Sequence, residues 1–397
     1  MYKKIYLFRI LYFLPMALSK MLFPILWEME GKLDLFSISY VTMACVGAFS
    51  FLYAKVIKKF GLAYSLAFGY ILYAVGLILR AFPVDIYLAM TTGIVAGIGA
   101  SAVGLVLSAL MVNIDSEVRP KVILKIGNIS AIVNMLGRTI AGFLVAGLAY
   151  FTIYNYQLAI ILTGVITFSG CLFINKKEDI YKYNPKQKNK DKQNLSFIKN
   201  FKANKSLYLS LMSYVFISGI FFACFLPLIP IYLKNLDFSI SAIGMIMSLA
   251  VVSALAAKNL YMYVSANDSI FAYMVFACLK AITISLLFYI LGQQLAILYV
   301  ACLLIYNMFS SIEGIIESIL ELKIAEENDS ATIFGLIQSC YLSGDVLGGI
   351  LMPIVYKYNI FVNYPILVGV IMLSCSLIFA TCARVSKKSS ESVSVTA

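Results

Sequence analysis

Long apolar runs separated by short polar connections dominate this chain, and they constrain its fold more than any other feature. They cover residues 5–27, 38–57, 62–82, 86–112, 126–151 and 156–175, and then, after a hydrophilic stretch, 207–233, 240–257, 270–291, 295–320, 331–356 and 364–383. A helix rises about 1.5 Å per residue, so roughly 20 apolar residues match the ~30 Å hydrocarbon layer of a bilayer. Inside lipid every backbone N–H and C=O must be satisfied within the segment, which an α-helix does and a loop does not. With 62% hydrophobic and 13% charged residues, the chain has far too little polar surface to hide these runs in water. The expectation is an all-α integral membrane fold of twelve transmembrane helices.

The charges follow the same logic. Lysines crowd the stretch 176–206, which reads as a solvated linker between a bundle over 1–175 and a second over 207–383, with a short tail over 384–397. Threading the chain with its N-terminus inside leaves only Lys32, Arg80, Lys234 and Lys357 on the outer side. Lys20, Arg138 and Lys280 fall within apolar runs. The basic residues thus mark cytoplasmic loops, with both termini cytoplasmic, and the net charge of +12 is topological and no sign of nucleic-acid binding.

Several chemistries are excluded or weakened. There is no histidine, so any proton relay must use carboxylates. No GxxxxGK[ST] phosphate loop is present, so energy would come from an ion gradient. The cysteines lie in apolar runs without CxxC spacing and read as packing residues. No cofactor, metal or enzymatic activity is expected. The first run is too long for a cleavable signal and reads as a span.

The halves carry a local echo. Gly137-Arg138-Thr139-Ile140-Ala141-Gly142 in the fifth run matches Gly344-Asp345-Val346-Leu347-Gly348-Gly349 in the eleventh, as expected for two repeats about an axis along the membrane normal. Such repeats place the substrate between the halves.

Together these features resemble the major facilitator superfamily over nearly the whole chain. The segment Ala54-Lys55-Val56-Ile57-Lys58-Lys59-Phe60-Gly61 is similar to that family's G-x-x-x-D-R-x-G-R-R gate loop, keeping a basic residue at Lys59 and the glycine at Gly61, with Lys58 in place of the acid. Gly93, Gly97, Gly99 and Ala100 follow the helix-packing part of the R-x-x-Q-G-x-G-A-A pattern, with Gly93 where the arginine stands. Gly137 and Gly142 fit the G-P-x-x-G-G motif of exporters, with Arg138 in the proline position. The passage from Phe225 through Pro227 and Pro230 to Gly244 looks like the family's seventh-to-eighth helix connection. The resemblance implies a small bacterial efflux-type member, monomeric, in the cytoplasmic (inner) membrane, whose partners are a small-molecule substrate, protons or another coupling cation, and the lipid bilayer.

Ionisable residues at membrane depth are functional candidates because their insertion costs several kcal/mol. Arg138 and Asp345 lie near the middle of their runs. Arg138 could fix an anionic group and Asp345 could carry a coupling proton, or both could be structural. Glu313 and Glu317 are four residues apart and share one helix face, with Glu321 continuing the stripe. Neighbouring carboxylates can share and release a proton. Lys280 could pair with Glu313 from the preceding run, and Lys20 could snorkel to the interface. Aromatic residues such as Tyr12, Phe13, Tyr214 and Phe222 could line a cavity or simply pack. Proton-coupled export of an amphipathic drug, siderophore or peptide-like compound is the leading expectation. The alternatives are proton-coupled uptake of a polar or anionic nutrient, and a non-transporting receptor or scaffold.

Overall fold

The computed structural model describes residues 2–49, 59–112, 119–175, 205–264, 270–326 and 330–395. Lys58 and the linker 176–204 lie outside the described residues, as does the side chain of Glu321. The first six long helices are α1 (Tyr2–Met29), α2 (Leu33–Ala48), α3 (Leu62–Leu79), α4 (Ile86–Val112), α5 (Arg119–Leu148) and α6 (Asn155–Ser169). They are followed by α7 (Lys205–Phe225), α8 (Ile240–Val264), α9 (Ile270–Gly292), α10 (Ala296–Glu326), α11 (Ser330–Lys357) and α12 (Pro365–Val395). Among the described residues ten helices are long and apolar enough to cross a membrane, and the shorter apolar helices Leu33–Ala48 and Pro365–Thr381 overlap the second and twelfth apolar runs. The described residues contain no β-strand.

Two compact units emerge. One comprises Met1–Pro185, Cys224–Leu249 and Gly349–Pro353, the other Lys186–Ala223, Ala250–Gly348 and Ile354–Ala397. The changeover in the seventh span falls between Ala223 and Cys224, just before Pro227 and Pro230 interrupt it. A 3-10 turn over Leu226–Leu228 separates α7 from the short helix Ile229–Asn235, because proline withholds the N–H that would continue the ladder.

Lipid tails are as apolar as leucine, so helices in a bilayer associate through close packing and hydrogen bonds. Small residues make that possible in the first unit, where α3 and α4 form the most extensive contact. A Cβ on Gly76 would meet the backbone of Ala96 at 2.6–2.7 Å, and one on Gly99 would press on the backbone of Tyr73. Gly93 and Gly97 abut α2 at Ser39, Thr42 and Met43, and Gly137 abuts Leu14 and Ala17 of α1. Gly142 and Gly244 bring α5 against the start of α8 at Ile240 and Arg138. Gly61 has a different role. It precedes α3 with φ +84° and ψ 165°, a conformation in which a Cβ is strained.

Inside this unit Ile5, Phe8, Leu66, Tyr70, Val103 and Leu107 make one core cluster, and Tyr70 donates its hydroxyl hydrogen to the Phe8 carbonyl at 2.7 Å. The outward faces stay apolar. Phe143, Leu158, Val165 and Phe168 are exposed, as lipid contact requires.

At the end of α1, Glu28 pairs with Lys234 of the short helix at 3.0 Å, with both side chains partly exposed. Such pairs contribute little. Lys234→Gln is therefore expected to change stability by no more than about 1 kcal/mol, with the difference shrinking as salt is raised, read by thermal unfolding in detergent.

Candidate functional site

The second unit encloses a cavity of about 270 Å³. Its walls come from five helices: Tyr214, Ser218 and Phe222 of α7, Lys280 of α9, Ser310, Glu313 and Glu317 of α10, Tyr341 of α11, and Cys375 and Ser376 of α12. Helical periodicity puts Glu313 and Glu317 one turn apart on the same face, as it does Ser310 and Gly314. Gly219 lets α7 lie directly on α11, since a Cβ there would strike the Tyr341 carbonyl. That close crossing brings Tyr214 and Tyr341 to one space.

Glu313 and Lys280 form an ion pair at the base of this cavity, Oε2 to Nζ, with 1% and 4% of their surface exposed. The second carboxylate oxygen is satisfied too. Ser376 donates to Glu313 Oε1 at 2.9 Å. The pair is therefore held by one full countercharge and one hydroxyl, the kind of saturation a buried pair needs to offset desolvation. Glu317 is only half-buried and shares a hydrogen bond with the Tyr214 hydroxyl. Tyr273 and Tyr306 lie within electrostatic range of Glu313. The charged residues in the lining are thus two carboxylates and one ammonium.

The other residues singled out from sequence sit elsewhere. Asp345 is buried on α11 and is not part of the cavity lining, although Tyr341, one turn before it, is. Arg138 belongs to the first unit, where its Nη1 donates to the Met247 carbonyl at 3.3 Å. Beside it, Thr139 and Ser248 hydroxyls meet at 2.7 Å, and Ser248 also donates to the Met135 carbonyl. Lys20 is exposed on α1, and Lys59 is exposed with its ammonium 5.4 Å from the Phe60 ring centroid. The described cysteines are free thiols. Among the described residues no cluster of three or more acidic, cysteine or histidine side chains could hold a metal.

Sequence reasoning missed Ser376 in this site and the inward turn of Arg80 outside it. A serine in an apolar run, such as Ser376, carries no signal until its partner is known. Arg80, counted among the outer basic residues, turns its side chain into the first unit and is 6% exposed.

Helices this long and apolar define a multi-pass membrane protein. The chain belongs to the Major Facilitator Superfamily, whose sequence profile matches residues 9–349. It is an integral membrane protein of a transporter family. The nucleoside transporter NupG superposes with a TM-score of 0.70 at 14% identity, over 96% of this chain and 99% of that one. A bacterial homolog of the human lysosomal transporter Spinster, in an inward-facing, unoccupied conformation, gives 0.69 at 11% identity, over 98% and 97%. A D-xylose–proton symporter gives 0.69 at 13% identity, over 95% and 96%. At these identities the likeness is one of fold. No curated protein sequence matches the chain.

Proposed function

We infer that the protein is a proton-coupled secondary transporter working by alternating access of two six-helix halves, 1–175 and 207–383, and that it exports a small amphipathic compound. The observation that carries this reading is the cavity itself. Two carboxylates and one ammonium meet in an aromatic space, a combination whose cost in a membrane marks it as a functional site. Lys280 and Ser376 engage Glu313, so Glu317 is the acid whose charge changes during the cycle. It takes a proton from the outer side while cargo leaves, releases it inside, and its tyrosine partner Tyr214 keeps the carboxyl group oriented in both forms.

Tyr214, Phe222 and Tyr341 supply aromatic faces, two of them with polar edges, which suits an amphipathic cargo. A second reading, uptake of an anionic nutrient with protons, draws support from Arg138, a guanidinium at membrane depth in α5.

The test uses oriented proteoliposomes with an imposed proton gradient. Luminal pH is followed while amphipathic drugs, peptides, siderophores and organic anions are added one at a time. Proton movement that depends on a compound and opposes its flux is the expected result, and it should vanish in the Glu313→Gln/Glu317→Gln double variant. Movement of proton and solute in the same direction replaces export with uptake. Compound-dependent proton flux that persists in the double variant removes these two carboxylates from the mechanism.

A further inference from the structure

The first unit holds a second buried cation of a different kind. Arg80 stands just after α3, where an arginine could extend outward to water, yet its side chain turns into the protein. Its Nη1 donates to Ser19 Oγ at 3.1 Å, and its guanidinium carbon lies 4.7 Å from the Phe23 ring centroid. Tyr12 and Tyr73, whose rings touch at 5.3 Å, are within electrostatic range. No carboxylate lies within ion-pair distance of Arg80 among the described residues.

The hydrogen-bonding edges of the guanidinium are unequally used. Nε and Nη2 together form its side-on fork, the edge that grips two oxygens of one anion. Nε has no partner among the described residues, and Nη2 reaches only the thioether sulfur of Met43 at 2.9 Å. A thioether is a weak acceptor on a flexible, three-torsion side chain. It is easily displaced by an oxygen anion.

A buried guanidinium with its bidentate edge closed by a removable sulfur, among aromatic rings and a hydroxyl, is arranged to receive an anion attached to an apolar body. The geometry points to Arg80 as the anchor for the carboxylate or phosphate group of an amphipathic organic anion, with Met43 as the plug that the anion displaces and Phe23, Tyr12 and Tyr73 as the walls for its apolar part. This assignment rests on the transporter reading only in naming the class of cargo. Binding at Arg80 is measurable without a gradient and without Glu313 or Glu317.

The chain carries its own reporter. Trp27 is its single tryptophan, donates its indole N–H to the Arg80 carbonyl at 2.8 Å, and meets Phe23 edge-on at 4.9 Å. The experiment follows Trp27 emission of the purified full-length protein in nanodiscs at fixed ionic strength, titrated with benzoate, phenyl phosphate and the neutral isostere benzamide. At least one anion is expected to give a saturable change, with benzamide weaker by about tenfold or more. The anion that binds tighter tells carboxylate from phosphate.

Arg80→Gln should abolish the response, and Arg80→Lys, which keeps the charge without the fork, should weaken it by about tenfold. Met43→Leu conserves volume and leaves Arg80 in place, so it should bind the anion at least as tightly as the parent. A parent protein that responds to neither anion, one that responds equally to benzamide, or a Met43→Leu variant that loses the response overturns the assignment. So does an Arg80→Gln variant that elutes as a monodisperse species and responds as the parent does.

Discussion

Replacing Lys280 with methionine is expected to destabilise the protein by about 3–5 kcal/mol, because it strands a carboxylate in a space it entered only as half of a pair. Glu313 is 1% exposed, and its surroundings are the rings of Tyr214, Tyr273 and Tyr306 with Cys375 and Met372 nearby. Ser376 alone can donate one hydrogen bond but no charge. The variant must therefore hold an uncompensated buried charge or let water in. The double variant Lys280→Met/Glu313→Gln carries no such charge. It should recover most of the lost stability, since buried pairs are often replaceable by uncharged groups at little cost. Thermal unfolding of the parent, both single variants and the double in detergent completes the cycle. If the two single effects simply add, the residues do not act as a pair.

The second large effect is steric. Gly99 and Gly104 lie on different faces of α4, five residues apart, and the same change to alanine should have different consequences. At Gly99 the new Cβ would meet Cα and Cβ of Tyr73 at 2.7 and 2.8 Å, and the backbone nitrogen more closely still. Those atoms belong to a helix axis and cannot rotate away. Separating α3 from α4 also loosens Gly76 against Ala96, so the expected loss is about 1–3 kcal/mol for alanine and more for leucine. At Gly104 nothing lies within 4 Å of the added carbon, and Gly104→Ala should be neutral within about 0.5 kcal/mol. Expression level and unfolding temperature of both variants check this, and equal behaviour would mean that the α3–α4 crossing is not limiting.

The fold was largely legible because a bilayer imposes so few solutions. Each apolar run overlaps a helix among the described residues, and the run 207–233, read from sequence as one span, is interrupted at its prolines by the turn Leu226–Leu228. Residue depth along helices also brought Lys280 and Glu313 together as one of two open readings, and the structure forms that pair. The hydroxyl that completes it was not legible. Ser376 lies on α12, and nothing in a run of apolar residues says which serine faces a carboxylate sixty-three positions earlier and which caps its own helix. The inward turn of Arg80 was hidden for another reason. At the end of a run a long side chain can turn outward to water or back along the helix, and the choice is made by Ser19, Phe23 and Met43 on two other helices.

The lining of the acidic cavity has an electrical consequence. With Lys280 permanently opposing Glu313, its charged residues sum to one negative charge when Glu317 is ionised and to zero when it is protonated. A cycle that returns this cavity loaded with a proton in one direction and with a neutral cargo in the other carries one net charge per turn. Displacing one elementary charge through a potential of about 100 mV is worth roughly 2.3 kcal/mol. Voltage alone, at equal pH on both sides, would then drive turnover with neutral cargo, and a cargo of charge −1 would carry charge outward and feel that field more strongly still.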